Sequence, residues 1–158
     1  MAQRAHGAGD ARMIPGPPGV LTKLLTTRWL WWAGILLWAG LLWWLSSRSA
    51  LPSGPEFPFK DKVLHCAYFS GGAFCLATAL FAARLESPPS WAWLLAGFIF
   101  TALTGALDEL HQSFTPGRMG NDPGDWLADV CGGVLGGWLA WRARRMCPDQ
   151  PSFNPMAK

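Results

Sequence analysis

Chargeable side chains are concentrated in one short segment of this chain, between residues 108 and 129. The segment contains one histidine, one arginine and five carboxylates, namely Asp108, Glu109, Asp122, Asp125 and Asp129. Paired carboxylates can act as general acid and general base where their surroundings separate their pKa values. An arginine can hold two carboxylates or a phosphate through its forked donors. Acid/base catalysis and the binding of a polar group are therefore the two kinds of chemistry that this segment suggests.

The elements that must position these groups are helices, because polar residues recur at helical spacing on three of them. Offsets of four and seven residues place side chains along one face of a helix. The three faces are Asp61, His65, Tyr68 and Gly72; Gly105, Glu109 and Gln112; and Asp125, Asp129, Gly132 and Gly136. Each helix is polar at one end of its face, so we expect three helices to meet with their polar groups together.

The rest of the chain has the composition of a membrane protein. Of its 158 residues, 51% are hydrophobic, 15% are charged and 11 are tryptophan, whereas soluble domains are about 25% charged. Four stretches approach the roughly 20 apolar residues that a spanning helix needs: Trp29–Leu45, Val63–Ala83, Trp91–Leu107 and Trp126–Trp141. The sequence therefore predicts an all-α fold, in which residues 28–142 form a four-transmembrane-helix bundle between disordered tails at residues 1–27 and 143–158. Buried helices of a soluble protein are the alternative.

The distribution of lysine and arginine predicts how this bundle lies in the membrane. Nine of the 13 lysines and arginines fall in the two tails and in the connection between the second and third spans. The positive-inside rule assigns that side to the cytoplasm, so both termini are cytoplasmic and the polar helix ends face outward. A cleavable signal peptide is the alternative for the first span. An uncleaved anchor is favoured, because the apolar run exceeds the usual length of roughly 7–15 residues and follows a long tail.

Topology brings the three polar helix ends to the same outer surface, where they can form one pocket. Its predicted ligand-binding residues are Asp61, Lys62, His65, Tyr68, Glu109, Gln112, Arg118, Asp125 and Asp129. Glu109 and Asp125 are the candidate acid and base, with His65 as a candidate proton shuttle. Arg118 follows a Pro-Gly turn, and we expect it to fold back and pair with the deep carboxylate of Asp129. The alternative is that Arg118 and the acids form an ion-pair network that only stabilises the bundle.

We predict no metal, no cofactor and no nucleic acid for this chain. The histidines and carboxylates lack the His-Glu-x-x-His spacing of a strong metal motif, and no basic block resembles a nucleic-acid footprint. Gly132, Gly133, Gly136 and Gly137 form two overlapping GxxxG pairs, which let helices approach closely in lipid. They predict tight helix packing, and they could also join two copies of the chain as a homo-oligomer.

The polar residues resemble the VanZ-like family of small bacterial membrane proteins. Three pieces carry the resemblance within residues 28–142: Asp61-Lys62-x-x-His65-x-x-Tyr68, then Glu109-x-x-Gln112-x-Phe114-x-Pro116-Gly117-Arg118, then Asp125-x-x-x-Asp129-x-x-Gly132 followed by Gly136. The family usually has asparagine where this chain has Asp129. Its founding member is associated with low-level resistance to the glycopeptide teicoplanin, and the resemblance transfers no catalytic residue.

The resemblance implies a multi-pass protein of the bacterial inner (plasma) membrane that belongs to the cell envelope. We expect it to bind an amphiphile in the outward pocket, either a membrane lipid or a lipid-linked envelope precursor, with Arg118 and Lys62 holding an anionic group. An enzyme that modifies a lipid or an envelope glycan through Glu109 and Asp125 is the alternative. A channel or transporter is less expected of a monomer with four spans and no paired half-helices.

Overall fold

Helices are the only regular secondary structure in the described part of the chain. A computed structural model describes residues 19–49, 54–84 and 86–147, so most of the two expected disordered tails lies outside the described residues. The helices are α1 (Val20–Thr26), α2 (Arg28–Ser46), α3 (Lys60–Phe81), α4 (Ser90–Gln112) and α5 (Pro123–Arg145). No strand occurs in these three ranges, which confirms the all-α prediction.

Three helices, α2, α3 and α4, are long and apolar enough to cross a membrane. Helix α5 covers the fourth predicted span but is not among them. Its 23 residues include five glycines, two carboxylates and three arginines, and these lower its hydropathy. Three of the four predicted spans are therefore helices apolar enough to cross a membrane. The fourth predicted span forms a helix but does not meet that composition, so the prediction of four such helices is confirmed only for three.

Helix α5 packs against α3 through a pair of glycines. A Cβ atom built on Gly132 would lie 2.3 Å from the carbonyl oxygen of Cys66, and one built on Gly136 would lie 2.2 Å from that of Ser70. No side chain fits at such distances, so glycine is what lets the two backbones touch. The contact moves forward by four residues on α5, from Gly132 to Gly136, and by four on α3, from Cys66 to Ser70. The two helices therefore run in the same direction.

A second pair of glycines packs α5 against α4 on its other side. A Cβ atom built on Gly133 would lie 2.6 Å from the carbonyl oxygen of Gly97, and one built on Gly137 would lie 2.4 Å from that of Trp93. Moving forward along α5 from Gly133 to Gly137 takes the contact backward along α4 from Gly97 to Trp93, so α4 runs antiparallel to α5. All four glycines of the GxxxG pairs are thus buried within one chain. A contact between copies cannot use these faces while the helices stay packed.

Helix α2 completes the bundle by packing antiparallel on α3. The indole of Trp38 covers Gly72, whose built Cβ atom would lie 2.5 Å from the ring, and Gly34 lies against Cys75. The end of α2, the start of α3, the end of α4 and the start of α5 therefore lie together, and we call this the polar end of the bundle. The three polar faces of the sequence meet here.

Helix α1 lies at the opposite end, where α4 begins and α5 ends. Leu25 of α1 is buried in an apolar cluster with Trp93 and Ala140. Residues 20–26 belong to the stretch 1–27 that we expected to be disordered, and they form a helix because Leu25 has an apolar cluster to pack into. The three arginines in the last turn of α5 lie at this end, which we call the basic end.

Candidate functional site

An ammonium group joins α3 to the start of α5 at the polar end. Nζ of Lys62 lies 2.6 Å from Oδ1 of Asp125 and 2.7 Å from Oδ2 of Asp122, and it lies 3.6 Å from Asp61. Asp122 also caps α5 by accepting a hydrogen bond from the N–H of Gly124 at 2.7 Å. The Lys62 ammonium and the Gly124 N–H hold the pKa of Asp122 below its usual range. Lys62 is therefore an internal cation of the cluster.

Asp129 is the deepest carboxylate of the cluster, and it pairs with His65. Its Oδ1 lies 2.9 Å from Nδ1 of His65, and the residue has no solvent exposure. Its Oδ2 fills the space beside Gly105, where a built Cβ atom would come within 2.6 Å of it. Nε2 of the same imidazole lies 3.9 Å from Asp125. The expected pairing of Asp129 with Arg118 is wrong, because a histidine on the adjacent packed helix already reaches this carboxylate.

Arg118 instead ends a hydrogen-bonded chain that crosses from the loop after α4 to α2. Its Nε and Nη2 atoms donate to Oε1 of Gln112 at 3.2 and 2.8 Å. Gln112 donates through Nε2 to Oδ2 of Asp108 at 2.8 Å, and the hydroxyl of Ser46 donates to the other oxygen of Asp108. Thr115 donates to the carbonyl oxygen of Ser46 at 3.0 Å. In the three described ranges, Arg118 forms no ion pair with a carboxylate.

The predicted site residues leave out Asp108 and Ser46, two members of this chain. Asp108 lies four residues before Gln112, and that spacing is a signal that could have found it. Ser46 has no comparable signal, because it belongs to α2 and lies 62 residues from Asp108 in sequence. Only the packing of α2 beside the end of α4 brings its hydroxyl to the carboxylate.

Glu109 fastens the end of α4 to the start of α5. Its Oε2 accepts a hydrogen bond from the backbone N–H of Asp122 at 2.7 Å. Its Oε1 is buried without a hydrogen-bond partner among the described residues, and the residue is only 4% exposed. Buried polar atoms are nearly always hydrogen-bonded, so an exception calls for an explanation. Glu109 has one oxygen that holds the loop and one that no described donor uses.

Tyr68 and His111 both face α2. The Tyr68 hydroxyl donates a hydrogen bond to the carbonyl oxygen of Trp38 at 2.7 Å. Nε1 of Trp38 donates in turn to the backbone carbonyl oxygen of Tyr68 at 3.0 Å. His111 stacks on Trp43 with ring centroids 3.9 Å apart, on a different face of α4 from Glu109. Tyr68 therefore holds α2 against α3 from the edge of the site.

Two adjoining cavities open at the polar end. The apolar cavity, of about 280 Å³, has a wall of Leu42, Leu45, Leu64 and Phe69. The polar cavity, also of about 280 Å³, is bordered by Met119, Asp122 and Asp125. Both are lined by Asp61, Gln112 and Arg118. A molecule with an apolar part and a polar part could therefore occupy the two together.

The nine predicted binding residues divide into two groups around these cavities. The residues that line a cavity are Asp61, His65, Tyr68, Gln112, Arg118 and Asp125. Lys62, Glu109 and Asp129 do not line either one. They bond instead to residues that border the cavities: Lys62 to Asp125, Asp129 to His65, and Glu109 to the backbone N–H of Asp122.

Asp61, His65 and Asp125 present donor atoms within 4.8 Å of one another, which is close enough for a metal ion to bridge them. The Lys62 ammonium already lies against both carboxylates of this group. The protein's own cation therefore offsets part of their negative charge, and a metal ion at this point would share both carboxylates with that ammonium.

Comparisons with known proteins identify no relative of this chain. No family model, no curated protein and no solved structure matches the chain. The resemblance to the VanZ-like family therefore rests on the three sequence motifs alone, and it stays a prediction. Within the described residues, the fold and the site define a helical protein with three helices apolar enough to cross a membrane and a charged cluster at one end.

Proposed function

We propose that this chain is a membrane protein of the bacterial cell envelope, similar to the VanZ-like family, that binds an anionic amphiphile at the polar end of its bundle. The observation that carries the proposal is the pair of adjoining cavities, because an apolar wall and a polar chamber meet at Arg118. Ligand sites combine apolar surface with a few well-placed polar groups. A wholly polar solute would leave the apolar wall without a contact.

Helix α5 is the fourth span in this proposal. Its 23 residues extend over about 35 Å, which exceeds the roughly 30 Å of a bilayer core. Its carboxylates face protein, while its exposed large side chains are Trp126, Leu127, Leu135, Trp138 and Leu139. Charged residues turned inward and apolar residues turned outward are what a lipid environment favours. The glycines and acids that lower its hydropathy are covered by α3 and α4.

The polar end faces outward and both termini lie in the cytoplasm. The distribution of lysine and arginine favours this orientation, and it places the arginines of the basic end on the cytoplasmic side. The polar end then meets the outer surface of the plasma membrane, where lipid-linked envelope precursors are used. The VanZ-like resemblance is consistent with that location.

Arg118 is the group that we assign to the anionic head of the ligand. Gln112 takes two of its donors, and a guanidinium has five in all, so others remain for a phosphate or carboxylate. Lys62, the second cation suggested by the sequence, is held by Asp122 and Asp125. Asp61 lines both cavities and can orient polar atoms beside the charged group.

A groove between α2 and α4 offers the apolar part of the ligand a route from the bilayer. The groove has a volume of about 310 Å³, and its lining includes Trp38, Trp43 and Leu107. It shares Leu42 and Asp108 with the apolar cavity. An acyl or prenyl chain could enter between the two helices while its head group reaches Arg118.

Lipid retention by purified variants tests this proposal. The full chain in detergent is offered a polyprenyl phosphate, phosphatidylglycerol and phosphatidylcholine, and native mass spectrometry measures which remain bound. We expect an anionic amphiphile to be retained over phosphatidylcholine. Arg118→Gln should lower the affinity of this site for the anionic amphiphile by at least about tenfold, because a hydrogen bond to a charged group contributes about 1.5–3 kcal/mol.

Arg48→Gln is the matched control for this experiment. Arg48 lies near the end of α2, stacked on Trp44 with 4.3 Å between guanidinium carbon and ring centroid, and it lines neither cavity. The substitution Arg48→Gln removes the same charge as Arg118→Gln, from the same end of the bundle. Equal losses for the two variants, or equal retention of anionic and zwitterionic lipid by the wild type, would reject the proposal.

An enzyme is the second candidate, and the His65–Asp129 pair favours it. A buried carboxylate on Nδ1 orients the imidazole, and Nε2 can then exchange a proton with a bound molecule. His65 and Asp125, which line the cavities, would carry out acid/base chemistry on a lipid or an envelope glycan, while Glu109 lines neither cavity and would hold the loop through the backbone N–H of Asp122. Membrane lipids from cells with the wild type and with His65→Gln are compared by mass spectrometry. A product lost in a variant that still folds and retains lipid supports an enzyme; an unchanged lipid profile rejects it.

A further inference from the structure

A separate cavity lies at the basic end of the bundle, away from the polar end. It has a volume of about 470 Å³ and opens between the start of α4 and the end of α5. Its lining includes Ser87, Ser90, Trp141, Arg144 and Arg145. We propose that this cavity binds the phosphate group of an anionic phospholipid.

The lining of this basic cavity is positively charged. Two arginines contribute to it, and no carboxylate among the described residues does. Arg144 is buried, and Arg145 lies over the ring of Trp141, with 5.4 Å between the guanidinium carbon and the ring centroid. A stacked guanidinium loses less conformational freedom on binding, and its planar donors match the oxygens of a phosphate.

The start of α4 reaches the same cavity through Ser90, the one residue of this helix in the lining. The helix begins at Ser90, its N-cap residue Pro89 supplies no side-chain cap, and its first turn has no acidic residue. The first N–H groups of a helix lack intrahelical acceptors and carry the positive end of its dipole. Arginine side chains and a helix start on one cavity are together suited to a phosphate, which offers several acceptor oxygens.

The surroundings of the cavity favour a lipid over a soluble phosphate compound. Helix α4 is one of the three helices apolar enough to cross a membrane, so its start lies near a bilayer surface. Trp91 beside the cavity is 64% exposed and Trp138 is 43% exposed, as tryptophans at a membrane interface are. Basic pockets between spanning helices on the cytoplasmic side bind acidic lipid head groups.

Retention of phosphatidylglycerol by the purified full chain tests this inference. The background carries Arg118→Gln, so that the polar end contributes less to the retention. Arg145→Gln should lower retention about tenfold, because one charge-assisted contact to phosphate is lost. The control is Arg142→Gln, which removes an exposed arginine from the same last turn of α5 without touching the cavity, and it should behave as the background does.

A second variant keeps the inference testable if the arginines affect folding. Ser90→Asp places a carboxylate in the cavity and at a helix start, where an acid stabilises the helix, so the fold should persist while retention falls. Equal losses for Arg142→Gln and Arg145→Gln, equal retention of phosphatidylcholine, or unchanged retention by Ser90→Asp would overturn the proposal. Competition by glycerol 3-phosphate as strong as that by phosphatidylglycerol would assign the cavity to soluble phosphates instead of lipid.

Discussion

Nδ1 of His65 lies 2.9 Å from Oδ1 of Asp129, across 64 residues of sequence. The contact joins the start of α3 to the second turn of α5, on a carboxylate that has no solvent exposure. Gly105 of α4 leaves the space that the other oxygen of this carboxylate fills. Three helices therefore meet at Asp129.

Asp129→Asn separates the role of the negative charge from that of the acceptor oxygen. The amide keeps an oxygen of the same shape for His65, so the free energy of unfolding should change by less than about 1 kcal/mol. Asp129→Ala leaves the imidazole without an acceptor and should cost about 1–3 kcal/mol. Unfolding in detergent, followed by circular dichroism, measures both. If the asparagine costs as much as the alanine, then either the charge holds the pair together or the amide NH2 group lacks an acceptor at the buried position of Oδ2.

Lys62→Met should destabilise the polar end. Lys62 is the cation that pairs with Asp125, whose side chain is only 8% exposed. The free energy of unfolding should fall by about 1–3 kcal/mol, which is more than for an exposed ion pair and less than for a fully buried one. Lys60→Met is the control, because Lys60 pairs with the 81% exposed side chain of Glu56 and should change stability by less than about 0.5 kcal/mol. The same unfolding measurement compares them, and equal effects would mean that the Lys62 bridge does not stabilise the fold.

Gly133→Ala should disrupt the packing of α5 on α4. The added methyl group would lie 2.0 Å from Oγ1 of Thr101 and 2.6 Å from the carbonyl oxygen of Gly97, and overpacking of this kind costs about 1–3 kcal/mol. Gly71→Ala is the matched control in α3, since nothing lies within 4 Å of its built Cβ atom. Alanine there should be neutral or stabilising, by up to about 1 kcal/mol. Equal thermal stability of the two variants would contradict the close contact.

Cysteine labelling tests whether α5 crosses the membrane. Single cysteines are placed at Ser87, Ser113 and Met146, which are exposed, in a chain whose four native cysteines are replaced by alanine. An impermeant thiol reagent added to intact cells should label position 113 and spare positions 87 and 146. Labelling of both 113 and 146 would mean that α5 does not span. Labelling of 87 and 146 without 113 would reverse the orientation.

The helices and their polar faces could be predicted because they depend on residues close together in the chain. Asp125 and Asp129 share a face of α5 through a spacing of four, which any regular helix produces. The apolar runs of α2, α3 and α4 predict spanning helices for the same local reason. The short helix α1 was not predicted, since its formation depends on a distant apolar cluster.

The partners of the charged groups could not be predicted, because pairing depends on distances between helices. Nothing local distinguishes Lys62 and His65 from Arg118 as a partner for the acids of α5. The structure selects the first two, because the glycines of α5 bring it into backbone contact with α3, while Gln112 holds the guanidinium of Arg118.

Local sequence therefore establishes that the chain is helical, apolar enough to enter a membrane, and polar on three faces near residues 61, 109 and 125. Tertiary packing decides which of those groups line a cavity and which support it. The physical reason lies in the glycine contacts, since a shift of one residue in the register of α5 would turn Asp129 away from His65. Helical periodicity places side chains on a face, and only the register between helices determines what that face meets.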